Sequence, residues 1–136
     1  MKRSYHCVLF SLIIAGLACT TNTEDLVPDP DDGGGENPPV EVSYASSVQP
    51  IFNGSCTGCH GNSGNVNLSS YSALMNSVGA NYGNTLVVSG DANASGLVDK
   101  IEPNPAHGSR MPIGGALSPT QIQTIRTWIN QGAKNN

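Results

Sequence analysis

Charged residues are scarce in this sequence. Only 12% of its 136 residues are Asp, Glu, Lys or Arg, against about 25% in an average soluble domain. The six Lys and Arg residues form no basic patch, and that lack excludes electrostatic binding of nucleic acid. The length allows one domain with appendages, at about 100 to 200 residues per domain, and excludes a multidomain enzyme.

Large apolar side chains are also few. Leu, Ile, Val and Phe occupy 18 of the 93 positions from 44 to 136, a share of about one-fifth that approaches the composition of disordered chains. Charge repulsion does not keep this segment unfolded, since it holds four Lys and Arg residues against three Asp and Glu. We therefore expect a fold whose core is supplemented by something other than its own side chains.

Strand-like alternation of apolar and polar residues persists nowhere in the sequence, whereas helical spacing recurs. This spacing predicts a short helix around residues 44–52, with Pro50 disturbing its last turn. It predicts a second helix after a cap at Ser69 or Ser70, and a third over 93–101. The predicted fold class is mainly α, with about three to five short helices joined by long loops.

The clearest helix lies near the C-terminus. Ser118 is a good N-cap, Pro119 falls at the first helical position, and Gln121 completes a capping box. Gly132 stands where a C-terminal cap belongs, so we predict a helix of about 13 residues. Its apolar stripe consists of Ile122, Ile125, Trp128 and Ile129.

The N-terminus has the layout of a secretory signal. Lys2 and Arg3 precede an apolar run over 8–17, which is shorter than the about 20 residues of a membrane-spanning helix. We interpret 1–19 as a signal peptide. Cys19 resembles the lipidated cysteine of bacterial lipoproteins, with an ordinary cleaved signal as the alternative. The expected location is outside the cytoplasm, periplasmic or on the cell surface, anchored to the membrane by lipid.

Residues 20–43 show no apolar periodicity and are rich in Pro and Gly. The segment contains no Lys or Arg and seven acidic residues: Glu24, Asp25, Asp29, Asp31, Asp32, Glu36 and Glu41. Such a composition is typical of a disordered tether. The folded domain is therefore expected to comprise residues 44–136.

The sequence Cys56-x-x-Cys59-His60 has four interpretations. A zinc site needs a second pair of ligands, and His107 is the sole Cys or His after His60. A redox dithiol would favour a βαβ setting, which is missing. A disulfide suits an exported protein but gives His60 no role. Covalent haem attachment uses all three residues: the thiols add to the haem vinyl groups and His60 binds the iron.

Haem iron would need a sixth ligand or an open face, and three side chains are candidates. Met75 lies on a predicted helix and His107 in a loop, whereas Met111 stands in Ser-Arg-Met-Pro, just before the C-terminal helix. A rigid proline and the following Gly114 and Gly115 can bring this loop close to a macrocycle. Met111 is the predicted distal ligand.

With these motifs in order, residues 44–136 resemble a class I monohaem cytochrome c. The Ser-Arg-Met-Pro motif, followed by Leu-Ser-x-x-Gln-Ile-x-x-Ile-x-x-Trp-Ile-x-x-Gly-Ala, is similar to bacterial domains called planctomycete-type cytochromes c. The resemblance implies a fold wrapped around one covalent haem c. It also implies that Trp128 and Ile125 pack near the haem and against the first helix, with Phe52 opposite.

The function expected from this resemblance is electron transfer between redox partner proteins, without substrate turnover by this chain. Two alternatives remain open. One is a ligand-binding or peroxidase-like haem module, which requires that Met111 not occupy the iron. The other is a haem-bearing subunit of a larger exported oxidoreductase system.

Overall fold

The computed structural model describes residues 40–136. The predicted signal peptide, Cys19 and residues 20–39 of the predicted tether lie outside the described residues. A π-helical segment, Tyr44–Val48, runs directly into helix α1, and a 3-10 turn covers Ser63–Asn65. The α-helices are α1 Gln49–Ser55, α2 Tyr71–Met75, α3 Gly96–Ile101 and α4 Pro119–Asn130.

The mainly α class is confirmed. Between residues 40 and 136 no strand forms, and the β-type pairing is an isolated bridge between Gly79 and Gly83. Within the same range, every helix falls short of the length and apolar character needed to cross a membrane.

The first helical segment buries one face along its length. Tyr44, Val48 and Phe52 follow each other at intervals of four and are all buried, as expected for neighbours on one helical face. The predicted disturbance of the last turn by Pro50 is wrong. Pro50 lies in the first turn of α1, where its missing N–H is tolerated, and the helix continues to Ser55.

The middle of the chain is mostly turns. Ser70 is the cap of α2, since its hydroxyl accepts a hydrogen bond from the Ala73 amide. Helix α3 begins at Gly96, later than the predicted 93, because Asp91 forms a turn there instead: its carboxylate accepts from the amides of Asn93 and Ala94.

Helix α4 follows its prediction closely. The Ser118 hydroxyl accepts from the Gln121 amide, and the Gln121 side chain accepts from the Ser118 amide, which is the reciprocal capping box. Gly132 has φ 102° directly after the C-cap residue Gln131, a left-handed conformation that glycine adopts without strain.

Trp128 is the centre of an aromatic cluster that joins α4 to the first helix. Its ring centroid lies 5.2 Å from that of Tyr44 and 6.4 Å from that of Tyr71. Its Nε1–H donates to the carbonyl of Lys134 at 2.8 Å, so the buried indole is satisfied. The cluster fixes α4 across the π-helical segment.

The start of the described chain is hydrogen bonded to its last residues. The Val42 amide donates to the Gln131 side chain, and the Gln131 amide group donates to the Val40 carbonyl. The amides of Tyr44 and Ala45 both donate to Asn136, through its side chain and its backbone oxygen. Residues 40–43, assigned to the tether by composition, thus contact the C-terminal segment.

Candidate cofactor-binding cleft

The Cys-x-x-Cys-His sequence forms a tight turn that continues the end of α1. The Cys56 amide donates to the Phe52 carbonyl at 2.8 Å, and the amides of Cys59 and His60 donate to the Cys56 carbonyl. Cys56 is half-buried and Cys59 is exposed, and the two thiols are not joined in a disulfide. The turn therefore keeps both thiols and the imidazole on one short stretch of backbone.

One ring nitrogen of His60 is hydrogen bonded to the backbone: its Nδ1 lies 2.9 Å from the carbonyl oxygen of Ser63. Because a carbonyl can only accept, Nδ1 is the donor in this contact, and Nε2 is the ring nitrogen left for another partner. A backbone carbonyl on one ring nitrogen is the usual support for an imidazole that binds a metal through the other.

A cleft opens beside this turn. It encloses about 160 Å³, and its empty space reaches about 750 Å³ when the open mouth is counted. Protein sites for cofactors typically measure about 300 to 1,000 Å³, so the enclosed part of the cleft is smaller than such a site, and a cofactor bound there would extend out through the mouth. The apolar residues of its walls are Phe52, Val66, Leu68, Leu86, Leu97 and Ile101.

Three of the predicted site residues lie together in the lining of this cleft. They are Cys56, His60 and Met111, which are separated by up to 55 positions in the sequence. Cys59 is exposed at the turn and does not belong to the lining. The cleft thus combines an imidazole, a thioether and a thiol with largely apolar walls.

The two other candidate distal ligands lie elsewhere. Met75, at the end of α2, is 37% exposed and does not line the cleft. His107 is exposed, and its ring stands edge-on to Tyr82 at 5.3 Å between centroids. Of the three candidates, Met111 is the one that lines the same cleft as His60.

These residues fit a covalently attached haem. The apolar walls suit a macrocycle, and the His60 imidazole and the Met111 thioether are both ligands that haem iron accepts. Burial raises the pKa of the Cys56 thiol above its ordinary value, which disfavours a reactive thiolate of the kind that redox dithiols use. Among residues 40–136, no group of three or more Cys, His, Asp or Glu side chains could hold a metal such as zinc.

Tyr82 lines the cleft but was not singled out from the sequence. Its hydroxyl donates to the Asp99 carboxylate. Burial, and then this hydrogen bond, raise the pKa of Tyr82 to about 12. The ring lies against Gly96, where an added Cβ would stand 2.2 Å from Tyr82 Cγ. In the sequence, Gly96 at the start of α3 is the signal that indicates such a close approach of another segment.

The resemblance implies that Trp128 and Ile125 pack near the haem and against the first helix, and the Trp128 ring does contact Tyr44 of that helix. Both side chains are buried in the core, and neither lines the cleft. Phe52, in α1, lines the cleft, and its ring centroid lies 6.3 Å from that of Tyr44. Tyr44 therefore connects Phe52, in the wall of the cleft, to Trp128 in the core.

Comparison with known proteins gives little beyond this geometry. No protein-family model matches the chain, and no curated protein matches it either. Among solved structures, Kuenenia stuttgartiensis hydrazine synthase is similar at 24% sequence identity and a TM-score of 0.49 over 70% of this chain. The match spans 16% of that protein's chain, so the activity of hydrazine synthase as a whole is not transferred to this protein.

Proposed function

We propose that this protein is an exported c-type cytochrome that carries single electrons through one covalently attached haem. The observation that carries the proposal is the meeting of Cys56, His60 and Met111 in one apolar cleft. The local sequence brings Cys56 and His60 together, but Met111 reaches them only through the fold of the chain.

Each residue has a distinct role in this proposal. Cys56 and Cys59 would form the thioether bonds, and His60 and Met111 would be the proximal and distal ligands of the iron. When bound, haem would supply reversible one-electron chemistry, and one thioether with one imidazole favours the reduced state relative to two imidazoles. The carbonyl of Ser63 orients His60. The apolar walls limit the access of water, which keeps the redox centre at low local polarity.

With both axial positions filled by the chain, no substrate is expected to bind the iron, and the protein is a carrier rather than an enzyme. Its partners are a donor and an acceptor protein of redox function. The described domain has nearly balanced charge, so association is not strongly steered by electrostatics. Nucleic acid is not an expected partner.

The test of this proposal compares two methionines. The exported protein should show the added mass of one haem and a c-type pyridine haemochrome spectrum. In the oxidised form we expect a methionine-to-iron charge-transfer band at long wavelength. Met111→Ala should abolish this band and lower the reduction potential, because the thioether is lost. The matched control, Met75→Ala, should leave both unchanged, since Met75 lies outside the cleft.

Absence of added haem mass would refute the cytochrome assignment altogether. If haem is attached but Met111→Ala retains the band, the distal ligand is a different residue. A wild-type protein without the band, able to bind external ligands at the iron, would instead support a ligand-binding haem module.

We propose further that Cys19 anchors the exported protein to a membrane through a lipid. The support is its position immediately after the apolar run of the predicted signal. Labelling with radioactive palmitate should disappear in Cys19→Ser and persist in Cys7→Ser, because Cys7 belongs to the removed signal. Equal labelling of the Cys19→Ser protein would assign the acyl group to another residue.

A further inference from the structure

The last turn of α3 holds the loop that carries Met111. This loop connects α3 to α4 over residues 102–118 and forms no helix of its own. The Asp99 carboxylate accepts from the Ala106 amide through both oxygens, at 3.1 and 3.0 Å. The same carboxylate accepts from the Tyr82 hydroxyl, in the wall of the cleft. Asp99 therefore joins the loop to the cleft wall.

Lys100 makes three hydrogen bonds to the same loop. Its ammonium Nζ donates to the carbonyl oxygens of His107 and Ser109, both at 2.6 Å. Its own carbonyl oxygen accepts from the Met111 amide at 2.7 Å. No carboxylate of the described chain lies within ion-pairing distance of this ammonium. The Lys100 ammonium therefore binds backbone carbonyls two and four residues before Met111.

The following residue completes the attachment. The Ile101 carbonyl accepts from Arg110 Nε at 2.7 Å. Three consecutive residues of α3, Asp99, Lys100 and Ile101, therefore bind successive parts of the loop. Hydrogen bonds with a charged partner are stronger than neutral ones, and those of the Asp99 carboxylate, the Lys100 ammonium and the Arg110 side chain are all of this kind.

Such an attachment matters because methionine does not position itself. Its side chain has three rotatable bonds and adapts to many shapes. A loop without secondary structure gains entropy on opening. The backbone of Met111 must therefore be fixed if its thioether is to stay in the cleft and exclude water or other small ligands.

We propose that Lys100, supported by Asp99, is a positioning residue for Met111: it keeps the loop closed so that the thioether holds the sixth position against external ligands. This inference rests on the proposed function. Lys100 itself is not assigned a bond to iron, and its effect passes through the backbone from His107 to Met111.

The experiment titrates the oxidised, haem-loaded protein with imidazole, which competes with Met111 and removes the charge-transfer band. We expect Lys100→Leu to lower the apparent dissociation constant of imidazole by about tenfold, the effect of losing a charge-assisted hydrogen bond on the closed population. Asp99→Asn should lower it in the same direction. Lys134→Leu is the matched control: it removes the same charge from an ion pair with Glu41 and should leave imidazole binding unchanged.

Hydrogen exchange provides a second readout that does not depend on iron ligation. In the wild-type protein the Met111 amide should exchange at least about tenfold more slowly than the Ile113 amide, and Lys100→Leu should remove this difference. The proposal is overturned if Lys100→Leu binds imidazole like the wild type, or if Lys134→Leu shows the same change. If Lys100→Leu does not fold, Asp99→Asn decides by the same titration. Failure of the proposed function is distinguishable, because the wild type would then carry no haem.

Discussion

In a Cys56→Ala/Cys59→Ala variant, covalent haem should be absent and residues 44–136 should be largely unfolded. The reason is the small number of large apolar residues in this segment and the largely apolar lining of its cleft. A cofactor that buries on the order of 400 Å² of apolar surface contributes about 10 kcal/mol at about 25 cal/mol per Å², as an upper bound. That amount is comparable to the entire net stability of a domain, which is about 5 to 15 kcal/mol.

Far-ultraviolet circular dichroism and thermal melting of the exported variant measure this effect, with intact mass to verify that haem is absent. Ser55→Ala is a suitable control, since it alters the same turn and keeps both thiols. A cooperative melt with native helicity in the double variant would show that the side chains alone provide a sufficient core.

The second large effect is expected at Trp128. Trp128→Ala should lower the free energy of unfolding of the haem-loaded protein by about 4 kcal/mol, because a fully buried indole leaves a cavity and a lost hydrogen bond. At about 4 to 8 °C per kcal/mol for a domain of this size, the melting temperature should fall by roughly 15 to 30 °C.

Ile113→Ala is the matched control for Trp128→Ala. Ile113 is 78% exposed, and truncation of such a residue should change stability by less than about 0.5 kcal/mol. The absorbance of the haem should remain nearly unchanged in Trp128→Ala, since this side chain does not line the cleft. A large spectral change with little loss of stability would place Trp128 against the cofactor instead of in the core.

The parts of the fold that follow from neighbouring residues were accessible from the sequence. Ser118 and Gln121 form the capping box of α4 as predicted, and Ser70 caps α2. Capping depends on side chains within three residues of a helix end, so the information is local. The Cys56 to His60 turn is equally local, since the amides of Cys59 and His60 donate to the carbonyl of Cys56.

The parts that depend on distant contacts were not accessible. Tyr82 and Lys100 both line the cleft, and Gly96 lets α3 approach the turn of Tyr82 closely. The spacing of apolar residues in the sequence does not predict such an approach. The place of Trp128 in an apolar stripe predicts its burial, but only the three-dimensional arrangement shows that Phe52 lines the cleft and Trp128 does not.

The hydrogen bonds between residues 40–45 and the C-terminal segment have a geometric consequence. The first helical segment spans 12 residues, five in its π-helical part and seven in α1, and α1 alone extends about 10 Å at 1.5 Å per residue. Tyr44 is the first residue of the segment, and Ser55, directly before Cys56, is its last. The length of this segment therefore separates the Cys56 turn from the hydrogen bonds that join Tyr44 and Ala45 to Asn136.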